Sequence, residues 1–229
     1  MKINETQVQQ LYNFTQAHYV EHYDLQTELV DHLANAIEDI WQEKPLLSFE
    51  EARDQSFKKF GITGFSDVIT QRRKAMNKRY YKYLWRELKQ WFSIPKVVIT
   101  LSLFFMFYYA FTSVISGYLF LVSYVLLFIH IAYMSIQLNK QFRRRKEISN
   151  KKWLLEEMIY KQAGGIAIIL ISQFFNVIGY KDFIFSNLYY VIGLSLVFTL
   201  LFLINYIGFN LLPNKAEILL KETYPEYNL

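Results

Sequence analysis

Residues 118–138 carry no charged side chain, nor do residues 163–180 or 187–212, and residues 94–112 carry only Lys96. A hydrocarbon core about 30 Å thick is crossed by about 20 mostly apolar residues wound as an α-helix. Backbone groups at that depth find no water, so each run is expected to close its hydrogen bonds internally. The runs therefore predict an all-α chain with four spans arranged as two hairpins, at about 94–112, 118–138, 163–180 and 187–210. Gly117 is read as the turn of the first hairpin, and Gly164-Gly165 as a flexible entry to the third span.

The connectors set an orientation. Lys140, Arg143, Arg144, Arg145, Lys146, Lys151, Lys152 and Lys161 lie between the second and third runs, whereas residues 113–117 are uncharged. Lys and Arg are retained on the cytoplasmic side, so the basic middle connector faces in and the two outer connectors face out. Both termini are then cytoplasmic, in an inner-membrane protein with several spans. The opening Met1-Lys2-Ile3-Asn4-Glu5 lacks an apolar core, so a secretory leader is not expected.

Composition matters mainly through its distribution. Residues 1–67 hold five bases against twelve acids, about −7, and residues 68–93 hold eight bases against Glu87 alone, about +7. The net +5 of the 229-residue chain is what remains from these opposed segments and is not a general attraction to polyanions. With Cys 0, disulfide frameworks, thiolate metal sites and cysteine nucleophiles are excluded. No Walker loop, nucleophile elbow or dinucleotide fingerprint occurs, and none of the four runs contains Asp or Glu. Neither an enzyme nor a cofactor is therefore expected.

The first 62 residues read as a small helical cytoplasmic domain, followed by a basic interfacial helix over residues 63–93, the membrane body over 94–212 and a cytoplasmic tail over 213–229. Within residues 5–20, Val8, Leu11, Tyr12, Phe14 and Tyr19 recur close to helical spacing, and Leu25, Leu29, Leu33, Ile37 and Trp41 do so more regularly. Ser48-Phe49-Glu50-Glu51 is a capping box that opens a third helix, and Gly61 is its left-handed C-cap. A further helix runs from Phe65 or Ser66 through the basic stretch to Trp91. In the tail, Asn214 is read as the cap of a short helix whose apolar stripe is Ala216, Ile218, Leu219 and Leu220, and Glu156 and Glu157 belong to a helix approaching the bilayer. Glu28-Leu29-Val30-Asp31-His32-Leu33, Ser48-Phe49-Glu50-Glu51-Ala52 and Lys59-Phe60-Gly61 together resemble the short helical domain of bacterial permease-prefix and HAAS-type signalling proteins. That resemblance implies a cytoplasmic regulatory or adaptor module joined to a membrane body, with residues 1–62 docking a protein partner; it supplies no catalytic residue.

Three groups of side chains stand out as candidate sites. Glu28, Asp31 and His32, with His18, His22 and Asp24 nearby, have the i, i+4 spacing of metal ligands. The favoured reading is structural, with the histidines near a helix C-terminus, Asp24 capping the next helix and Asp31-His32 packed on the third; no metal is expected. The bases Arg72, Arg73, Lys74, Lys78 and Arg79, interleaved with Tyr80, Tyr81, Tyr83 and Trp85, have the composition of a nucleic-acid surface. Beside a span they read instead as contacts to anionic headgroups, as do Arg143, Arg144 and Arg145 in the stretch from Phe142 to Trp153, and no nucleic acid is expected. Within the spans, His130, Gln173, Asn176 and Asn205 form either interhelical hydrogen bonds, the favoured reading, or the lining of one polar path. The chain is accordingly expected to be a non-enzymatic membrane regulator or adaptor, which admits a homo-oligomer; the alternative is a small transporter or channel subunit.

Overall fold

The computed structural model describes residues 2–149, 151–161, 176–177 and 179–227. Every regular element among them is helical. The chain divides into two compact units, one made of Met1–Lys78 with Ile148–Leu155 and the other of Arg79–Glu147 with Glu156–Leu229.

The first unit is built from α1 (Glu5–Ala17), α2 (Tyr23–Glu43), α3 (Phe49–Lys58) and the opening turns of α4 (Ser66–Gln90). Asn4 and Gln7 form a capping box at α1, and Ser48 and Glu51 form one at α3, where the Glu51 amide donates to the Ser48 hydroxyl and the Ser48 amide to the Glu51 carboxylate. That second bond holds the Glu51 carboxyl below its ordinary value. The apolar stripe of α2 is inside, with Leu25, Leu29, Leu33 and Ile37 all buried. Leu11 of α1 and Ala52 of α3 close over it. An aromatic cluster joins the ends of these helices: the Phe57 ring lies 5.2 Å from Phe14 and 4.9 Å from Phe65. Gly61 follows α3 at φ 75°, a left-handed conformation that a Cβ disfavours.

This unit also captures a segment from far along the chain. Trp153, Leu154 and Leu155 are buried. The Trp153 ring meets Tyr23 edge-on at 5.2 Å, the Tyr23 amide donates to the Lys152 carbonyl at 2.7 Å, and Lys152 pairs with Glu21 at 2.6 Å. Trp153 is thus a core residue rather than an interfacial one. Phe142 departs from the interfacial reading as well, being buried against Tyr160 in the second unit.

The second unit contains the remainder of α4, then α5 (Lys96–Thr112), α6 (Ser116–Ser149), most of α7 (Leu154–Lys161), α8 (Lys181–Ser186), α9 (Leu188–Tyr206) and α10 (Ala216–Thr223). Among the described residues, two helices are long and apolar enough to cross a membrane: α6, and α9 with its continuation to Asn214. In their most apolar windows only 22% and 44% of residues are buried, whereas the central helix of a water-soluble core would be enclosed. The third helix, α5, is apolar but has 17 residues, about 26 Å of helix. Of the expected third span, residues 163–175 and 178 lie outside the described residues, as do Gly164 and Gly165. At 34 residues, α6 is about 51 Å long and continues unbroken from its uncharged part through the basic residues to Ser149.

Phenylalanines hold these helices together. Phe198 of α9 lies 5.5 Å from Phe107, 5.2 Å from Phe111 and 5.4 Å from Phe120, all at steep angles. These are edge-to-face arrangements in which a ring's positive edge meets another's negative face. Ser195 and Thr199, on the same helix, return their hydroxyls to the carbonyls four residues back, at 2.7 and 2.8 Å.

Some local expectations are revised. Gly117 lies inside α6, and the turn from α5 is made by residues 113–115, because Ser113 is extended and its carbonyl receives the Ser116 amide. Asn214 ends a short turn instead of capping α10, whose N-cap position is Lys215. Ile218 points outward, leaving Ala216, Leu219 and Leu220 as the buried stripe. After Tyr206 the helix widens over Ile207–Leu211, where the Leu212 amide reaches back to Ile207. Pro213 accounts for the widening: it has no amide to donate, and its ring crowds the carbonyl four residues earlier.

Ala at Gly61 would meet no atom within 4 Å, so the positive φ alone governs its effect. Gly61→Ala is expected to destabilise the first unit by about 1 kcal/mol, and Gly61→Asn by less. Helix α3 ends at Lys58 with Lys59, not Gly61, at the C-cap position; thermal unfolding of the full chain in detergent measures the effect, and an unchanged Gly61→Ala variant would show that the positive φ carries no cost.

Candidate functional site

On α6, Ser123, Leu127 and His130 follow one another at helical spacing, and on α9 and its continuation Phe202, Asn205, Tyr206 and Asn210 do the same. With Met106 and Phe107 of α5 they line one cleft of about 430 Å³. Its walls are largely aromatic and aliphatic, and its polar groups are few, a combination typical of small-molecule sites. Asn205 is 3% exposed and, among the described residues, its Nδ2 has no hydrogen-bond partner. A buried amide donor left unpaired costs about 1–3 kcal/mol. Asn210 belongs to the widened turn, a feature that is frequent at functional sites.

Of the four intramembrane polar residues expected from sequence, the structure brings His130 and Asn205 to this cleft. Asn176 is exposed and is not part of the lining, and Gln173 lies outside the described residues. Ser123 and Asn210 were not anticipated: a serine in an apolar helix is unremarkable alone, and Asn210 enters through the turn imposed by Pro213.

In the first unit, Asp31 and His32 are exposed on α2. Glu28 Oε2 faces Arg72 Nε at 3.3 Å. His18 is held by the Phe14 carbonyl at 2.8 Å and by ring contacts to Phe14 and Phe57. Asp24 does not cap its own helix; its Oδ1 accepts from the Leu154 amide at 3.2 Å. Among the described residues, no group of three His, Asp or Glu side chains is placed to hold a metal ion.

The basic residues serve different ends. Arg73, Lys74, Lys78, Arg79, Arg143 and Arg144 are exposed. Arg145 is turned inward: its Nε donates to Glu156 Oε1 at 2.7 Å and its Nη2 to the Tyr227 hydroxyl at 2.9 Å. Glu156 and Tyr227 are both buried; the charge pair joins α6 to α7, the Tyr227 bond ties the tail to the end of α6, and Arg145 is not available as a headgroup contact. A second buried carboxylate, Glu87, takes two bonds from Lys215 Nζ, each 2.8 Å. Sequence inspection missed both pairs, because their members lie 11 and 128 residues apart.

Compared with known protein families, curated proteins and solved structures, the chain has no significant match.

Burial raises the Glu156 carboxyl above its ordinary 4.5, against the opposing pull of Arg145. The folded state then holds this proton more tightly than the unfolded chain, so the stability it contributes is complete below the ordinary value and declines as pH rises through the raised one. The melting temperature of the wild-type chain, relative to Glu156→Gln, is expected to fall as pH increases above 4.5. A difference independent of pH would show that burial does not govern this group.

Proposed function

We propose that the chain is a non-enzymatic regulatory or adaptor protein of the bacterial inner membrane, in which the helical first unit docks a cytoplasmic or membrane partner and the apolar helices hold it at the bilayer. The observation that carries this reading is the contrast between the two units. The first encloses its apolar stripe and presents Asp31 and His32 outward; the second presents large apolar side chains outward, such as Leu126 and Ile129 of α6 and Leu196 and Val197 of α9. Outward apolar faces on helices of membrane-crossing length are what lipid covers. Four spans, with both termini cytoplasmic, follow from the runs and from the positive middle connector. The resemblance to permease-prefix and HAAS-type domains supports the docking role.

A second reading, a small transporter or channel subunit, is favoured by one observation: His130 and Asn205 face the same cleft. It requires Asn176 or Gln173 to extend that lining into a path.

The absence of cysteine makes single introduced thiols clean topological reporters. Leu46→Cys, on an exposed loop of the first unit, is expected to react with a membrane-impermeant maleimide only after the inner membrane is opened, whereas Val114→Cys and Ser186→Cys react in spheroplasts. Labelling of Leu46→Cys from outside would overturn the orientation. For the docking role, Asp31→Lys with His32→Glu is expected to abolish stoichiometric recovery of a partner that the wild-type full chain retains from native membranes. Identical recovery by both would remove α2 as the docking face.

A further inference from the structure

Arg79, Lys82, Arg86 and Lys89 follow one another at intervals of three, four and three residues, which places all four on a single face of α4. With Trp85 they line a recess of about 600 Å³ whose acidic member is Glu222, contributed by α10. Glu222 Oε2 reaches Arg86 Nη1 at 3.7 Å, a loose contact with both side chains nearly half exposed. Among the described residues, Arg79 and Lys82 make no ion pair, and Lys89 Nζ sits 5.7 Å over the Trp85 ring. Four cations facing one carboxylate leave the recess with an excess of positive charge. Six residues of chain lie between Lys89 and Lys96, where the apolar helix α5 begins.

We propose that this recess is a binding site for the headgroup of an anionic phospholipid of the inner leaflet, and that Glu222 is its built-in competitor. The inference rests on the reading of α5 as a membrane helix, which places these cations at headgroup depth. The charge arrangement fits a single phosphodiester: Arg79 and Lys82 supply unpaired donors, Arg86 exchanges a distant carboxylate for a phosphate oxygen, and Trp85 offers an amphipathic ring at the interface. The exchange moves the Glu222 carboxylate into water, so headgroup occupancy and the contact of this carboxylate with Arg86 are mutually exclusive. The tail stays attached through the bond of Lys215 to the buried Glu87 and that of the buried Tyr227 to Arg145.

The test uses the full chain in mixed micelles of neutral detergent with phosphatidylglycerol or phosphatidylcholine, with retained lipid counted by native mass spectrometry. One equivalent of phosphatidylglycerol is expected, and no phosphatidylcholine. Arg79→Gln with Lys82→Gln is expected to weaken retention about thirty-fold, and Arg79→Lys with Lys82→Arg to preserve it. Glu222→Gln is expected to strengthen it about five-fold. Arg143→Gln with Arg144→Gln removes the same charge from exposed bases elsewhere and is expected to change it less than about three-fold. Equal loss in the two double variants, an unaltered Glu222→Gln, displacement of the lipid by millimolar inorganic phosphate, or tighter binding of RNA to the same bases would each overturn the proposal. Carbonate washing of native membranes separates this from the membrane reading: wild-type chain released by the wash sinks that reading, whereas a chain that resists the wash yet fails to retain phosphatidylglycerol sinks only the site.

Discussion

The edge-to-face packing around Phe198 is the contact on which the second unit depends. Where lipid surrounds a helix, burying apolar surface gives little drive to associate, because hydrocarbon already surrounds it. Association then rests on shape and on specific side-chain geometry. Rings from α5, α6 and α9 meet at Phe198 within 5.2–5.5 Å, and each such pair contributes about 0.5–1.5 kcal/mol beyond area burial. Fixing α6 and α9 at this point also fixes what lies about two to three turns further along. His130 and Asn205 share a cleft because Phe198, Phe202 and Asn205 occupy one face of α9.

Local signals in the sequence were strong where a single helix decides the outcome. The Ser48–Glu51 capping box, the positive φ of Gly61 and the restart of a helix at Ser66 each depend on residues within a few positions, and each is present. Apolar periodicity likewise identified the inward face of α2. What could not be read were arrangements made by distant segments. Trp153 has the composition of an interfacial belt residue, and nothing nearby announces that Tyr23 will receive it. Hydropathy delimits an apolar run but not the helix containing it, so α6 continues through a basic stretch that hydropathy treats as a connector.

Charge shows the same division. Summing by segment separates the acidic residues 1–67 from the basic stretch 68–93, but a sum cannot tell which bases are engaged inside the protein. Arg72, Arg145 and Lys215 have carboxylate partners, while Arg79, Lys82, Arg143 and Arg144 remain at the surface. For Arg145 and Glu156 the distinction has energetic weight. Breaking a buried pair strands a desolvated charge at a cost of about 3–5 kcal/mol, whereas an exposed pair contributes about 0–1 kcal/mol.

That inequality ranks the attachments of the tail. Tyr227 is bonded to an arginine whose carboxylate partner is buried, and Lys215 holds a Glu87 whose side chain is 4% exposed. Both would leave a buried charge or polar group without its bond if the tail departed. Glu222 differs: at 3.7 Å from an exposed arginine, its contact sits at the weak end of the scale. A competing anion at Arg86 therefore displaces Glu222 at little cost and gains nothing by dislodging Lys215 or Tyr227. The tail is built to exchange this one contact while keeping the bonds of Lys215, Thr223 and Tyr227, so ligand exchange at the recess is local and does not require α10 to detach.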